Sequence, residues 1–513
     1  MYLLGIDVGS STIKTGIYAC DGRFIGSYAS EYKQLFPKPG LKEIEPGVIW
    51  EKTVACIRGV VAQTGVDPRE ILAVSPSVIG EEVGPFDKEG HPLYNFIEGM
   101  DQRENHYAAV IDMWRREFDL RDLYERTGVT LTILPSIHKM IWIKNRMPEI
   151  YRNVYKFACV EDYVIFKLCG CFATDYSLAG RTMAFNRNTK KWDAEILAAA
   201  GIRETMMVEA HNAGTVVGNI SAAAAAETGL PRETKVVTGG HDQCCAALGA
   251  GVAKHGIAFN GLGYVESIGV AADYPVSDPQ AQEKHQSCYP HVVKDQYLVL
   301  GLSMAFGLAI RWLRDNIYKN EPGGSAAYDA MMTRAAGAPR GCNGLFFLPH
   351  FQGSSTGVAP AFNSKSRAAL IGLREFHHEA DIERAVLEGL CFETRSLIQA
   401  METEFKVKEL RATGGPSKSP FLMQLKSDIT GKKVKTLATN DAGIIGAVIL
   451  AGIGAGVYRD YDEALGIFYR ENHEYLPDTA EQRFYERRYL VYERLYPNLE
   501  NVFDEIDMLT KEE

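Results

Sequence analysis

Three times in this chain an apolar, β-rich run stops at a glycine turn that opens onto another regular element. "YLLGIDVGSS" does so near Asp7, "TKVVTGGHDQ" near Asp242 and "VKELRATGGPS" near Gly414. A strand ending in such a turn presents backbone N–H groups, and twice a carboxylate, beyond the edge of a sheet. A chain that repeats this device in both halves is expected to fold as two related α/β units facing each other across a cleft. No Pro- or Ser-rich linker separates them. A second strand set begins at "GIAFNGLGYVESIGVAADYP" (256–275), so the units are expected to be residues 1–250 and 251–513.

The local patterns agree. The first segment reads strand–turn–strand, with "DG" (21–22) as a hairpin turn. Residues 46–65 carry helical apolar spacing between Pro46 and Gly65, and "ILAVSPSVIGEEVGPFD" (71–87) reads strand, loop, strand. Helical patterns dominate from about 104 to 230, and 407–437 reads strand, glycine turn, helix, strand. The longest apolar run, "IIGAVILAGIGAGV" (444–457), is too short for a bilayer and rich in glycine, so a buried helix is expected.

Composition excludes several classes. A net charge of −10 gives no reason to expect a nucleic-acid or membrane-surface partner. A few backbone N–H groups can still hold a phosphate locally. The N-terminus lacks the basic and apolar regions of a signal peptide, and ten scattered cysteines lack zinc spacing. Reduced thiols in a cytoplasmic protein are expected. No HExxH-type pattern occurs, which argues against a tightly held metal.

Asp242 is the residue of greatest interest. It stands where a strand gives way to the apolar run "QCCAALGAG", either as a helix cap or as a base facing a cleft. "GIDVGSSTIKTG" (5–16) puts Asp7 at a strand end before Gly9, Ser10, Ser11 and Thr12, a turn suited to phosphate oxygens, with Asp7 able to hold a hydrated Mg2+. An ordinary hairpin tip would look the same. Gly414 and Gly415 would let a flat ring approach the backbone, although a plain turn with serine capping fits as well. Glu81 and Glu82 are adjacent in a loop, where neighbouring acids are ordinarily solvated. Neither GxxxxGK[ST] nor a GxGxxG opening a βαβ unit is present. Together the pieces suit a small-molecule phosphotransferase.

On longer stretches the chain resembles the FGGY family of carbohydrate kinases, within the sugar kinase, Hsp70 and actin superfamily. The resemblance lies in "GIDVGSSTIK", "LPSIHKMIWIKNRMPEIY", "TDYSLAGRTMAFNRNTKKWDAEILAAAGI" (174–202), "GLFFLPHFQGSSTG" (344–357) and "ALIGLREFHHEADIERAVLEGLCFETR" (369–395). It implies an α/β fold of two ribonuclease H-like (actin-like ATPase) domains around a central catalytic cleft. It implies ATP and Mg2+ as cofactors and a small sugar or polyol as substrate, and it leaves a homodimer open. Asp242 would be the catalytic base, kept ionised by its helix N-terminus. Gly80, Glu81 and Gln243 would bind the sugar. Asp7 would position Mg2+ through water, with Gly9, Ser10, Ser11 and Lys14 at the phosphates. Gly263, Tyr264, Gly307, Arg311, Gly414, Gly415 and Ser419 would line the nucleotide.

Departures from the family pattern are specific. Gly263-Tyr264 stands where Gly-Thr is usual, Pro416 replaces a common glycine, and Gly99 replaces a tryptophan before Asp101-x-Arg103. Gly80 stands where glycerol kinases have an arginine, which argues against glycerol. The expected reaction is phosphorylation of a hydroxyl of a ketose, a pentulose or deoxy-ketose, or of a polyol. The alternative is a non-catalytic ATP-binding protein of the actin or Hsp70 kind.

Overall fold

The computed structural model describes residues 1–103, 106–277, 284, 286–317, 325–354, 363–402, 406–438 and 441–512. Positions 355–357 of the family-like stretch 344–357 therefore lie outside the described residues. The expected meander opens the chain: β1 (Tyr2–Val8), β2 (Thr12–Ala19) and β3 (Phe24–Glu31) pair antiparallel, with Gly22 at φ 87° in the turn. Helix α1 (Pro46–Thr64) ends at Gly65 in the left-handed conformation and leads to β4 (Ile71–Val78), parallel to β1. The sheet is completed by β5 (Val216–Asn219), β6 (Lys235–Val237) and the short β7 (Gly240–His241). Its order is β5-β6-β4-β1-β2-β3, with β7 paired to the end of β4. Helix α2 (Asp242–Gly249) starts directly from β7. Helices and short strands between β4 and β5 pack around Trp114, Ile137, Met140, Met183 and Ile196.

A second seven-stranded sheet follows the same plan. Strands β8 (Ile257–Leu262), β9 (Glu266–Ala272), β10 (Ser287–Pro290) and β11 (Tyr297–Ser303) precede helices α3 (Phe306–Trp312) and α4 (Glu379–Met401). Then come β12 (Glu409–Thr413), α5 (Pro420–Thr430), β13 (Lys433–Leu437), α6 (Ala442–Ala455) and β14 (Glu471–Tyr475). The order is β10-β11-β9-β8-β12-β13-β14. In each sheet the first strand is antiparallel to the next and parallel to a later one, β4 or β12. The expected pair of related α/β units is thus present as two ribonuclease H-like sheets.

The glycine-rich run forms the buried helix α6, and its glycines have a use. Although it follows β13 in the second half, α6 lies on β1 and β4 and against α2. Gly5 and Gly16 are register partners on β1 and β2, and Cβ atoms there would approach Ile444 to 2.8 Å. A Cβ on Gly249 would lie 1.9 Å from the Ala442 carbonyl oxygen, and one on Gly446 2.0 Å from that of Cys245. The two helix backbones therefore touch where they cross, which only glycine permits. Gly446→Ala would gain helix propensity yet force the helices apart, so we expect its unfolding free energy in urea to fall by about 1–3 kcal/mol. Gly466, in the helix Tyr461–Phe468 with nothing within 4 Å of its Cβ position, is the control. Gly466→Ala should raise stability by roughly 0.5–1 kcal/mol.

Candidate active site

Register brings the first-half residues together. Asp7 on β1 and Gly240 on β7 both stand opposite Ser77 of β4, so the chain reaches Asp242 two residues beyond the level of Asp7. The Ser77 hydroxyl donates to Asp7 Oδ1 at 2.8 Å. Behind Asp7 lies the first turn of α6, where a Cβ on Gly443 would sit 2.9 Å from Asp7 Oδ1. Lys14, the register partner of Asp7 on β2, donates to Asp441 Oδ1 at 2.6 Å. Burial pushes the Asp7 carboxyl up, Ser77 and Lys14 draw it down, and the Asp441 charge adds to the rise.

Asp242 corrects two sequence expectations. It is the first residue of α2 rather than its cap, and the preceding residue, His241, makes no side-chain cap bond. Nor does the helix terminus keep its pKa low. Burial, then the charges of Asp7 and Glu81, push it to about 7, outweighing hydrogen bonds from Gln243. The dipole of an eight-residue helix is worth about 1 kcal/mol, less than the cost of dehydrating a carboxylate beside two others. With 30% of its side chain still accessible, Asp242 is poised between charged and neutral forms at neutral pH.

The expectation that Glu81 and Glu82 are solvated is also overturned. Glu81 accepts hydrogen bonds from the Arg181 guanidinium, with Nε at 2.6 Å. Although burial acts against it, the Arg181 charge and hydrogen bonds, with the Lys139 charge, hold its carboxyl below the usual range. Glu82 is 4% exposed and faces Glu98; burial and these neighbouring charges raise it well above the usual carboxylate range. Lys139, wholly buried, donates to the carbonyls of Gly99, Ile133 and Leu134, and burial lowers it to about 8. Loop residues 80–82 therefore form the lining of a charged interior. Gly80 has a distinct part, since a Cβ there would fall 2.6 Å from the His241 ring. Gln243 contributes a buried Oε1 without a hydrogen-bond partner, an acceptor open to a hydroxyl donor.

The second-half residues converge separately. Gly307 N–H donates to the Gly263 carbonyl at 3.1 Å, and a Cβ on Gly307 would lie 2.4 Å from that oxygen. Gly414, at φ 97°, would place a Cβ 2.2 Å from the Leu262 carbonyl. Gly415 borders open space. The turns at 263, 307 and 414 thus meet backbone to backbone. Tyr264 is 48% exposed at the tip of the β8–β9 turn. Arg311 lies 3.7 Å from Asp315, its side chain 59% exposed. Ser419 caps α5, accepting from Leu422 N–H. In the first half, Ser10 and Ser11 are exposed, and Gly9 N–H donates to the Thr12 carbonyl.

Sequence reasoning missed the groups that balance this charge. Arg181 and Lys139 lie in stretches that carry the family resemblance, "TDYSLAGRT" and "SIHKMIWI", and the signal was a cation set among the apolar residues of each. Also missed is a wholly buried cluster behind the Gly263–Tyr264 turn. Lys426 Nζ lies 2.5 Å from Glu266 Oε1, which also accepts from Asn260 and Thr394. It joins β8, β9, α4 and α5.

Comparison with known proteins agrees with this geometry. Residues 2–249 match the N-terminal domain, and residues 270–455 the C-terminal domain, of the FGGY family of carbohydrate kinases. A xylulose kinase of Staphylococcus epidermidis is 28% identical over 96% of both chains. A glycerol kinase of Citrifermentans bemidjiense is 30% identical over 89% of this chain and 90% of its own. The structure of ligand-bound xylulose kinase from Lactobacillus acidophilus superimposes with a TM-score of 0.90 at 24% identity, covering 98% of this chain and 99% of that one. The chain belongs to the FGGY family of carbohydrate kinases. It is an ATP-dependent phosphotransferase acting on an alcohol group of a sugar or polyol. Among the described residues no helix is long and apolar enough to cross a membrane.

The Glu81–Arg181 pair generates a test, because removing one partner leaves a charge buried and alone. Arg181→Leu should lower the unfolding free energy by about 3 kcal/mol, and Glu81→Gln added to it should restore much of that loss. Urea denaturation of the two variants at pH 7 reads the difference.

Proposed function

We propose that this kinase phosphorylates a hydroxyl of a ketose, a pentulose or deoxy-ketose, or of a linear polyol, with Asp242 as general base. The observation that carries this reading is a half-open carboxylate at about 7 placed among other acids, because a base near neutrality can take a hydroxyl proton and release it again. Asp242 accepts the proton as the sugar oxygen bonds to the γ-phosphorus. The bond from that phosphorus to the bridging β,γ-oxygen breaks, and ADP leaves. Gln243 Oε1 and the Glu81–Arg181 pair suit the remaining hydroxyls, one as an acceptor and the other as an ordered charged wall.

Lys14 donates to Asp441 and is the register partner of Asp7, and the charge of Asp7 in turn reaches Asp242; carboxylates gathered in this way suit a divalent ion. Asp7 is the residue that would hold Mg2+, through water. Mg2+ bound there would neutralise phosphate charge and align the transferring group. The backbone of Gly9 to Ser11 and Lys14 would face the phosphates, and Gly263, Tyr264, Gly307 and Arg311 would close on them from the second half. Gly414 and Gly415 would flank the adenine, because Gly415 borders open space, with Ser419 at the edge of that surface. All ten cysteines are free thiols, which suits a reducing cytoplasm.

The test combines a substrate panel with one substitution. ADP release from Mg-ATP is measured with ketopentoses, deoxy-ketoses, ketohexoses and polyols. One sugar should respond strongly, and Asp242→Asn should cut its turnover by about 1,000-fold or more while ATP still binds. Turnover in Asp242→Asn within tenfold of the parent would remove Asp242 from the base role.

A further inference from the structure

The buried cluster behind the Gly263–Tyr264 turn has a form that packing alone does not call for. Glu266 opens β9 and is the register partner of Leu262, the last residue of β8, so it stands at the root of the turn. Its carboxylate and the Lys426 ammonium are both fully buried. Oε1 accepts from Lys426 Nζ at 2.5 Å and from Asn260 Nδ2 at 2.8 Å. The Thr394 hydroxyl lies 2.9 Å from both Glu266 oxygens and accepts from Lys426 at 2.8 Å. Lys426 Nζ also lies 4.6 Å from the centre of the Phe306 ring. A carboxylate, a hydroxyl and an aromatic face thus supply partners for the three N–H groups of the ammonium.

The pair sits where it governs spacing. Asn260 is on β8, Glu266 on β9, Thr394 on α4 and Lys426 on α5, and Phe306 is the first residue of α3. The turns assigned to the nucleotide adjoin these same elements. Gly307 and Leu308, next after Phe306, donate their N–H groups to the Gly263 and Tyr264 carbonyls at 3.1 Å. Gly414, in the turn that leads into α5, packs on the Leu262 carbonyl. Burying an ion pair is a poor route to stability, because a well-packed apolar pair of similar volume ordinarily does as well or better. What a directional, fully bonded pair adds is one fixed arrangement of the elements it joins.

We propose that Glu266 and Lys426 are a positioning pair for the nucleotide: with Thr394 they lock β9 to α5 from behind, so that the Gly263–Tyr264 turn, the start of α3 and the Gly414–Gly415 turn keep the spacing that ATP needs. The inference rests on the reading of these turns as the nucleotide surface. Both residues are fully buried, so neither touches ATP or the sugar, and no proton or phosphoryl group passes through them.

Titration calorimetry with Mg-ADP, which needs no sugar, tests this on the full chain beside thermal melting. Lys426→Met leaves a carboxylate buried alone, so it should melt earlier and bind Mg-ADP about 10-fold or more weakly. Adding Glu266→Gln removes that charge and should restore most of the melting temperature. It should not restore the affinity, because an amide and a thioether do not lock β9 to α5. Thr394→Val keeps both charges and the side-chain volume, and should weaken Mg-ADP by about 3-fold or more. With the sugar found in the panel, its KM should be unchanged in all three, since the sugar residues lie in the first half.

A folded double variant whose Mg-ADP affinity returns to within about twofold of the parent along with its melting temperature would make the pair merely structural and overturn the proposal. A sugar KM that rises as far as the nucleotide Kd would overturn it too, as the mark of a generally loosened protein. If neither Lys426→Met nor the double variant folds, Thr394→Val decides, and parental Mg-ADP affinity there would overturn the proposal. Gly415→Leu separates the two readings. It places a side chain in open space, so it should fold normally and block Mg-ADP. If it does so while the folded pair variants bind like the parent, the pair alone is wrong; if Gly415→Leu itself binds like the parent, the nucleotide surface is.

Discussion

Helix α6 crosses α2 with glycine against carbonyl on both sides, Gly249 on Ala442 and Gly446 on Cys245, and the site depends on that contact. The crossing sets how far α2 stands from β1 and β4, and so how far Asp242 stands from Asp7. It also delivers Asp441 to Lys14, from a point in the chain 427 residues away. A side chain at either crossing glycine would move the base relative to the phosphate turn. Because close-packed interiors transmit such displacements, a change in the core here would be felt at the chemistry.

Around that frame the interior is unusually rich in buried charge, and compensation decides the state of each group. Glu81 has Arg181 and lies below the ordinary carboxylate range, while Glu82 faces Glu98 and lies far above it. Asp242 has neither a salt bridge to a lysine or arginine nor full burial, and it settles between them. An acid with a strong partner would be too weak a base, and one without solvent access could not exchange its proton. Asp7 and Asp441 both face Lys14, on the side of the site proposed for the phosphates. A metal-bound polyphosphate would complete it.

Much of the fold was legible because it is local. The β1–β3 meander, α1 between Pro46 and Gly65, and the strand–turn–helix–strand of 407–437 follow from alternation, turn glycines and helical spacing. The recurrence of the glycine turns pointed to two related units. Asp242, Asp7 and Gly414 were legible for the same reason, since each ends a readable strand. Glu81 and Glu82 were misread as solvated because their partners, Arg181, Lys139 and Glu98, are 16 to 100 residues distant. The charge state of Asp242 could not be read either, because it depends on Asp7 and Glu81 meeting in space. The glycines of α6 were seen as composition, and only the crossing explains them.

The central claim is that burial among other acids, and not the helix terminus, sets the charge of Asp242. Carbon-detected NMR of the aspartate carboxyls, titrated from pH 4 to 9 without nucleotide and compared with Asp242→Asn, tests it most directly. The account predicts one carboxyl titrating near 7 that is missing from the variant, and that moves down when Mg2+ and a nucleotide bind. A carboxyl assigned to Asp242 that titrates near the usual aspartate value would contradict it.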